Sequence, residues 1–150
     1  MKVAVASDHA AYALKTKILE HLNNRGIKCA DFGAEGGLSA SDYPDYGLKA
    51  ANAVASGECS VGILVCGTGI GMSIAANKIK GIRAAVCGDK FSAKATREHN
   101  DANILCLGER VISPSLALEL VDIFVDTPFS NEERHIRRLD KITAAEGVSC

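Results

Sequence analysis

The apolar residues of this chain fall into five short runs separated by segments with helical spacing. The runs predict strands, because they are rich in β-branched residues or are closed by turn residues. They span residues 3–6, 27–32, 61–66, 82–87 and 104–107. Each run is therefore expected to supply one strand of a common sheet.

The segments between the runs carry the signals of helices. Apolar residues recur every four positions from Leu14 to Leu22, and Gly26 follows as a typical residue beyond a helix end. Pro44 and Pro114 suit the first turn of two further helices, because a missing N–H is tolerated there. The chain thus alternates between strands and helices.

Alternation of this kind favours parallel strands joined by right-handed crossovers. We predict an α/β fold, a three-layer α/β/α sandwich around a five-stranded parallel sheet, with the flavodoxin-like or Rossmann-like strand order 2-1-3-4-5. A charged segment over residues 132–146 predicts an added C-terminal helix. All 150 residues are expected to form one domain.

Composition and charge argue against several classes of function. The chain has 17 Lys and Arg against 18 Asp and Glu, without a long run of one sign, so nucleic acid and membrane surfaces are not expected partners. The six cysteines show no Cys-x-x-Cys motif or short Cys/His spacing, so neither a metal site nor a disulfide framework is expected. The N-terminal apolar run is too short for a signal peptide or a membrane span. We expect a cytoplasmic protein with reduced thiols.

Residues 64–71 read LVCGTGIG, an apolar strand that runs into alternating glycines. A strand, a glycine-rich bend and a helix start direct backbone N–H groups into one concavity, which favours an anion or a developing oxyanion. The dinucleotide fingerprint needs a third glycine where this chain has Met72, although Asp89 could be its distant acid. A nucleotide-binding regulatory module therefore stays open as an alternative.

In the predicted strand order, ligands bind where the order reverses, at the carboxyl ends of the first and third strands. Asp8 and His9 follow the first strand, and Cys66 ends the third. A thiol before a helix N-terminus can be reactive, although Cys66 could also be a core residue. Asp8 could simply cap the first helix. A thiol-redox protein is disfavoured, because Cys66 lacks a neighbouring resolving cysteine.

Helix geometry separates His99 and Asn100 from Cys66. A crossover helix runs antiparallel to its strands, so His99, at the end of such a helix, is expected at the amino edge of the sheet, about 15 Å from Cys66. If the two act together, a second copy must supply His99, which predicts a homodimer with shared sites, possibly paired into a tetramer. Arg134 and Arg138 share one helix face and could bracket a phosphate or form a solvated surface.

Six segments of the chain, in order, resemble type B ribose-5-phosphate isomerase. They are SDHAAYALK at 7–15, DYPDYG at 42–47, CGTGIGMSIAANK at 66–78, GIRAAVC at 81–87, REHNDANIL at 97–105 and ERHIRR at 133–138. The resemblance implies an aldose–ketose isomerase without metal or cofactor, with ribose 5-phosphate and ribulose 5-phosphate as its sugars. Because the family includes relatives for other sugars, six-carbon substrates stay an alternative: allose or galactose 6-phosphate, or free allose and psicose.

The resemblance also implies the chemistry at the reacting end of the sugar. Cys66 would be the base that moves a proton between C1 and C2, and His99 would open the furanose ring as an acid. Asp8 and Tyr43 would assist at the hydroxyls. The enediolate oxygen would be held by Thr68 and by the backbone amides of Gly67, Gly69 and Gly71.

At the other end of the sugar the resemblance implies a phosphate pocket. Its residues would be His9, Arg134 and Arg138, completed by Asn100 and Arg110. One branch of the family uses a glutamate six positions beyond the cysteine. This chain has Met72 there, so it matches the cysteine branch.

Overall fold

A computed structural model of the protein describes residues 1–36 and 40–147. Within them, five parallel strands form one sheet: β1 Lys2–Ser7, β2 Lys28–Asp31, β3 Val61–Cys66, β4 Ala84–Val86 and β5 Ile104–Gly108. The helices are α1 Tyr12–Asn24, α2 Tyr43–Ala55, α3 Ile70–Ala76, α4 Lys90–Glu98, α5 Pro114–Asp126 and α6 Glu133–Ala145, with a 3₁₀ turn over His9–Ala11. The predicted α/β class and the C-terminal helix are confirmed.

The helix ends follow from local chemistry. Ser113 caps α5, because its side chain accepts a hydrogen bond from the Leu116 N–H at 3.2 Å, and Pro114 occupies the first helical position. Gly26 lies beyond the end of α1 with φ +73°, and its N–H bonds to the carbonyl of Asn23. Only glycine adopts this left-handed conformation without strain.

The two faces of the sheet are covered by different helices. One core contains Leu14, Ile18 and Leu22 of α1 together with side chains from α4 and α5, among them the fully buried Phe124. The other core contains Met72 and side chains from α2 and α3. This arrangement confirms the three-layer sandwich. No helix in the described part of the chain is long and apolar enough to cross a membrane.

The strands are ordered β2-β1-β3-β5-β4, so the predicted order 2-1-3-4-5 is wrong at one edge of the sheet. The reversal between β1 and β3 is as predicted, but β5 lies beside β3 and β4 takes the edge. All five residues of β5 are buried, whereas β4 has three residues that stay partly exposed. A buried apolar strand is favoured inside a parallel sheet and a short one at its edge.

Asn77 completes the exposed edge at β4. Its side-chain amide donates to the Ala84 carbonyl at 2.9 Å and its oxygen accepts from the Ala84 N–H at 2.9 Å. These two bonds replace the backbone pairing that another strand would supply. The N–H and carbonyl of Ala84 at this edge are therefore satisfied from within the chain.

Candidate active site

The carboxyl ends of β1, β3 and β5 form one edge of the sheet. Ser7 lies opposite Val65, and Cys66 lies opposite Gly108. The pairing continues past the strands, because the N–H of Arg110 donates to the carbonyl of Gly67 at 3.0 Å. The corrected strand order therefore brings Arg110 to the glycine turn, where the predicted order would have placed the end of β4.

Cys66 is held at the start of the glycine turn. Its side chain is only 5% exposed in the single chain, and the N–H of Gly69 donates to its sulfur at 3.2 Å. Gly69 has φ +79°, and a Cβ there would lie 3.0 Å from the carbonyl carbon of Leu107. Both the conformation and the close packing require glycine at this position. The turn thus directs a backbone donor at the thiol.

Thr68 and Tyr43 flank the turn. Thr68 is exposed, and its hydroxyl accepts the N–H of Ile70 at 3.3 Å. A Cβ on Gly71 would lie 2.6 Å from the ring of Tyr43, so the ring packs directly on the glycine. The structure therefore brings Thr68 and Tyr43 to the edge of the sheet where Cys66 lies.

Asp8 and His9 lie at the neighbouring end of β1. The carboxylate of Asp8 accepts the Ala11 N–H at 3.1 Å and so caps the 3₁₀ turn, as its capping interpretation predicted. His9 is exposed, and its Nδ1 accepts the backbone N–H of Ser41 at 3.0 Å. We call the residues gathered here the carboxyl-edge group: Asp8, His9, Tyr43, Cys66, Thr68, Gly67, Gly69, Gly71 and Arg110.

His99 lies elsewhere, at the opposite edge of the sheet. It caps the end of α4, just before the amino end of β5, whereas Cys66 lies opposite the last residue of that strand. The five residues of β5 span about 13 Å. The predicted separation of His99 from Cys66 within one chain is therefore confirmed.

His135 of α6 packs against His99. The ring centroids are 4.5 Å apart, and Nδ1 of His135 lies 2.7 Å from the Ser130 hydroxyl. Burial lowers the pKa of His135, and the positive charges of His99 and the nearby arginines lower it further. Arg134 pairs with the carboxylate of Glu132 at 2.7 Å. We call the residues gathered at this edge the amino-edge group: His99, Asn100, Arg134, His135 and Arg138.

The sequence did not predict two of these contacting residues, His135 and Ser41. His135 is the buried residue of α6, yet its position in a charged segment gives no signal that separates it from its neighbours. Ser41 contacts His9 across 32 residues, and no local pattern predicts such a bond. Both could be found only once the elements were placed.

The structure also bears on the nucleotide alternative. Asp89 caps α4 through the N–H of Ser92 at 2.8 Å, and it follows β4, which β5 separates from β3. It therefore does not lie beside the glycine turn. Met72 is fully buried, and its sulfur packs against Gly47. A Cβ added at Gly47 would lie only 2.7 Å from that sulfur. The described residues contain no group of three His, Cys, Asp or Glu side chains placed to hold a metal.

Comparison with known proteins agrees with this geometry. The family model of ribose/galactose isomerases matches residues 3–142. Ribose-5-phosphate isomerase B of Escherichia coli is 45% identical, with 97% of this chain and 96% of the relative covered. The structure of ribose-5-phosphate isomerase B from Clostridium thermocellum has a TM-score of 0.94 at 53% identity, covering 97% of each chain. That of the Mycoplasma genitalium enzyme with bound ribulose 5-phosphate has a TM-score of 0.93 at 38% identity, covering 99% of this chain and 97% of that one. The chain belongs to the ribose/galactose isomerase family.

Proposed function

We propose that the whole chain forms one cytoplasmic sugar-phosphate isomerase domain that interconverts ribose 5-phosphate and ribulose 5-phosphate without a metal. The observation that carries the proposal is the thiol of Cys66, held by the Gly69 amide at the glycine turn of a chain in this family. The five described cysteines are free thiols, as a reducing compartment requires.

Residues of the carboxyl-edge group would carry out the proton transfer between C1 and C2. The Cys66 thiolate takes the proton from C2 of the open-chain aldose, and the electron pair moves into a C1–C2 double bond, which leaves negative charge on the C1 oxygen. Return of the proton to C1, with transfer of the hydroxyl proton from O2 to O1, gives the ketose. The amides of Gly67 and Gly71 and the Thr68 hydroxyl stabilise the enediolate, each donor contributing a few kcal/mol.

The remaining roles need both edges of the sheet. His99 would protonate the ring oxygen so that the furanose opens, while Asp8 and Tyr43 bind the sugar hydroxyls. The phosphate would be held by the following side chains: His9, Asn100, Arg110, Arg134 and Arg138. Because His99 lies across the sheet from Cys66, a second copy of the chain has to bring it to the thiol.

Exposed apolar side chains support a homodimer at this edge. Ile70, Phe91 and Val111 follow the carboxyl ends of β3, β4 and β5 and are 54%, 79% and 64% exposed. Large apolar groups in one exposed region mark an interaction surface. A partner copy seated on these side chains would cover the carboxyl end of β3, where Cys66 lies.

The proposed base is tested by Cys66→Ala, assayed with ribose 5-phosphate in the presence of a chelator. We expect turnover to disappear while the fold and the binding of the sugar phosphate persist, because only the proton carrier is removed. Cys59→Ala is the matched control, since Cys59 is buried at the amino end of β3, away from the site. Retained turnover in Cys66→Ala would reject the assignment.

The preferred sugar is tested by comparing five-carbon with six-carbon substrates. Values of kcat/KM for ribose 5-phosphate, allose 6-phosphate, galactose 6-phosphate and the free sugars would rank the five-carbon proposal against the six-carbon alternative. We expect ribose 5-phosphate to give the highest value. A higher value for a six-carbon sugar would move the proposal to that substrate while leaving the reaction type unchanged.

A further inference from the structure

His9 and Ser41 are joined by three contacts at the carboxyl edge of the sheet. The His9 N–H donates to the Ser41 hydroxyl at 3.0 Å, the Ser41 N–H donates to Nδ1 of His9 at 3.0 Å, and the hydroxyl lies 3.3 Å from Nδ1. We infer that Ser41 is a positioning residue that fixes the proton of the neutral His9 ring on Nε2, so that His9 offers an N–H donor to the phosphate of the substrate. The inference rests on the proposed role of His9 as a phosphate ligand.

The backbone amide of Ser41 determines which ring nitrogen of His9 carries the proton. An amide N–H is always a donor, so the nitrogen it faces has to accept. In a neutral imidazole one nitrogen accepts and the other carries the proton. Because Nδ1 accepts from Ser41, the proton of His9 is on Nε2. The hydroxyl of Ser41 can share the same acceptor while it receives the His9 amide.

Ser41 is fixed in place by the helix that follows it. Asp42 precedes α2, and its carbonyl accepts the N–H of Asp45 at 3.2 Å in the first turn. Tyr43 begins α2 and packs its ring on Gly71 of the glycine turn. The segment that orients His9 is therefore attached to the element that also contacts the reacting end of the site. A rigid support of this kind holds a binding group in its productive orientation.

The arrangement gives His9 a different task from the arginines. Nδ1 is occupied, so Nε2 is the ring nitrogen left for a ligand, and the exposed ring is accessible to one. Arg134 and Arg138 would supply positive charge to a phosphate, whereas His9 would supply one directed hydrogen bond. Such a bond to a charged group discriminates a phosphorylated sugar from a free one.

The tautomer can be read directly by ¹⁵N NMR of the full-length protein labelled at its histidines, near neutral pH and without ligand. The His9 signals are assigned by their loss in His9→Gln. We expect a protonated Nε2 and an unprotonated Nδ1. A proton on Nδ1, or an equal mixture of the two tautomers, would overturn the inference whatever the enzyme's activity.

Ser41 itself is tested by the pair Ser41→Ala and Ser41→Pro. Alanine keeps the backbone N–H, so the Nε2–H tautomer should persist, whereas proline removes the donor and should give a mixture. An unchanged spectrum in folded Ser41→Pro would overturn the role of the amide. If Ser41→Pro does not fold, as judged by circular dichroism, the spectrum of the unsubstituted protein still decides the tautomer.

Two substitutions of His9 test which nitrogen meets the phosphate. Glutamine can place an N–H donor near the position of Nε2, whereas asparagine can replace only the acceptor at Nδ1. We expect His9→Asn to raise KM for ribose 5-phosphate by roughly tenfold to a hundredfold and His9→Gln to raise it less. A smaller effect of asparagine than of glutamine would overturn the inference. An Nε2–H tautomer with no change of KM in either variant would instead reject His9 as a phosphate ligand, and so separates the two proposals.

Discussion

His135 shows how one buried residue links α6 to the rest of the molecule. It is only 2% exposed, packs its ring against that of His99 and contacts the hydroxyl of Ser130. Burial and the nearby positive charge lower its pKa below the ordinary value of 6.5. In the pH range between the folded and unfolded pKa values, the unfolded chain binds more protons, so the free energy of unfolding falls as the pH drops through that range.

We therefore predict that His135→Gln reduces the pH dependence of stability. The free energy of unfolding of the parent protein should fall between about pH 7 and pH 5, and the variant should lose less over the same interval. Urea unfolding at several pH values measures this slope at one protein concentration. Arg137→Gln, an exposed substitution on the same helix, should keep the parent slope. Equal slopes in His135→Gln and the parent would contradict the prediction.

The sequence predicts the position of a reactive residue where that residue lies at the end of a predicted strand. Cys66 and Asp8 could be placed because each stands where an apolar run ends, and parallel strands gather their carboxyl ends at one edge. The contacts of His9 with Ser41 and of His99 with His135 could not be predicted. Each joins elements whose relative position depends on packing far along the chain.

The glycine turn after β3 requires a backbone conformation and a close approach that suit glycine. An alanine at Gly69 would have to adopt φ +79° and would bring its Cβ within 3.0 Å of the Leu107 backbone. The conformation alone costs roughly 1–2 kcal/mol for a residue with a Cβ. Movement of the turn would also withdraw the amide from the Cys66 sulfur.

We predict that Gly69→Ala lowers kcat at least about tenfold, because the oxyanion donors lose their alignment. Gly81→Ala is the matched control, since Gly81 has φ +83° and a Cβ there meets nothing within 4 Å. The control should lose stability without losing kcat. Steady-state assays with thermal unfolding of both variants make the comparison. An equal kcat in the two variants would mean that the turn does not align catalytic donors.

The connection after β2 depends on a buried lysine of α1. Lys15 is 2% exposed, and its ammonium contacts the Asp31 carboxylate at 2.8 and 3.0 Å and the Ala34 carbonyl at 2.8 Å. Lys15→Met should lower the free energy of unfolding by about 1–3 kcal/mol, because the Ala34 carbonyl is left unpaired while Asp31 can still be hydrated. Urea unfolding measures the loss, and the exposed Lys17→Met should show almost none. Equal midpoints for the two variants would contradict it.

The predicted strand order is wrong for β4 and β5. Residues 82–87 and 104–107 are both short apolar runs, so their sequences do not show which is central. The structure distinguishes them through burial, since all five residues of β5 are buried between two neighbouring strands, whereas the three residues of β4 at the sheet's edge stay partly exposed. Helix and strand identities are set locally, whereas the order of strands depends on packing between segments that are distant in the chain. The sequence therefore predicts the elements better than their arrangement.

For the whole molecule, the two edges of the sheet divide the proposed site between them. The carboxyl-edge group contains Cys66 and the amino-edge group contains His99, with the length of β5 between them. A homodimer related by a twofold axis can bring each His99 to the partner's Cys66 and so form two equal sites. Neither group could then work without the other copy.

This division predicts that two inactive variants restore activity when their subunits exchange. In a heterodimer of Cys66→Ala with His99→Ala, one site carries both substitutions and the other carries neither. An equimolar mixture, after subunit exchange in mild denaturant and refolding, should therefore reach about a quarter of the parent activity, because half of the dimers are mixed and each has one intact site. Steady-state assay of the mixture measures it. Mixed Cys66→Ala and Thr68→Ala subunits are the matched control. They should gain no activity above that of the separate variants, because Thr68 lies at the same edge as Cys66 and each site of the mixed dimer then has one defect. Activity that stays at the sum of the separate variants in the first mixture would show that His99 does not reach the partner's thiol.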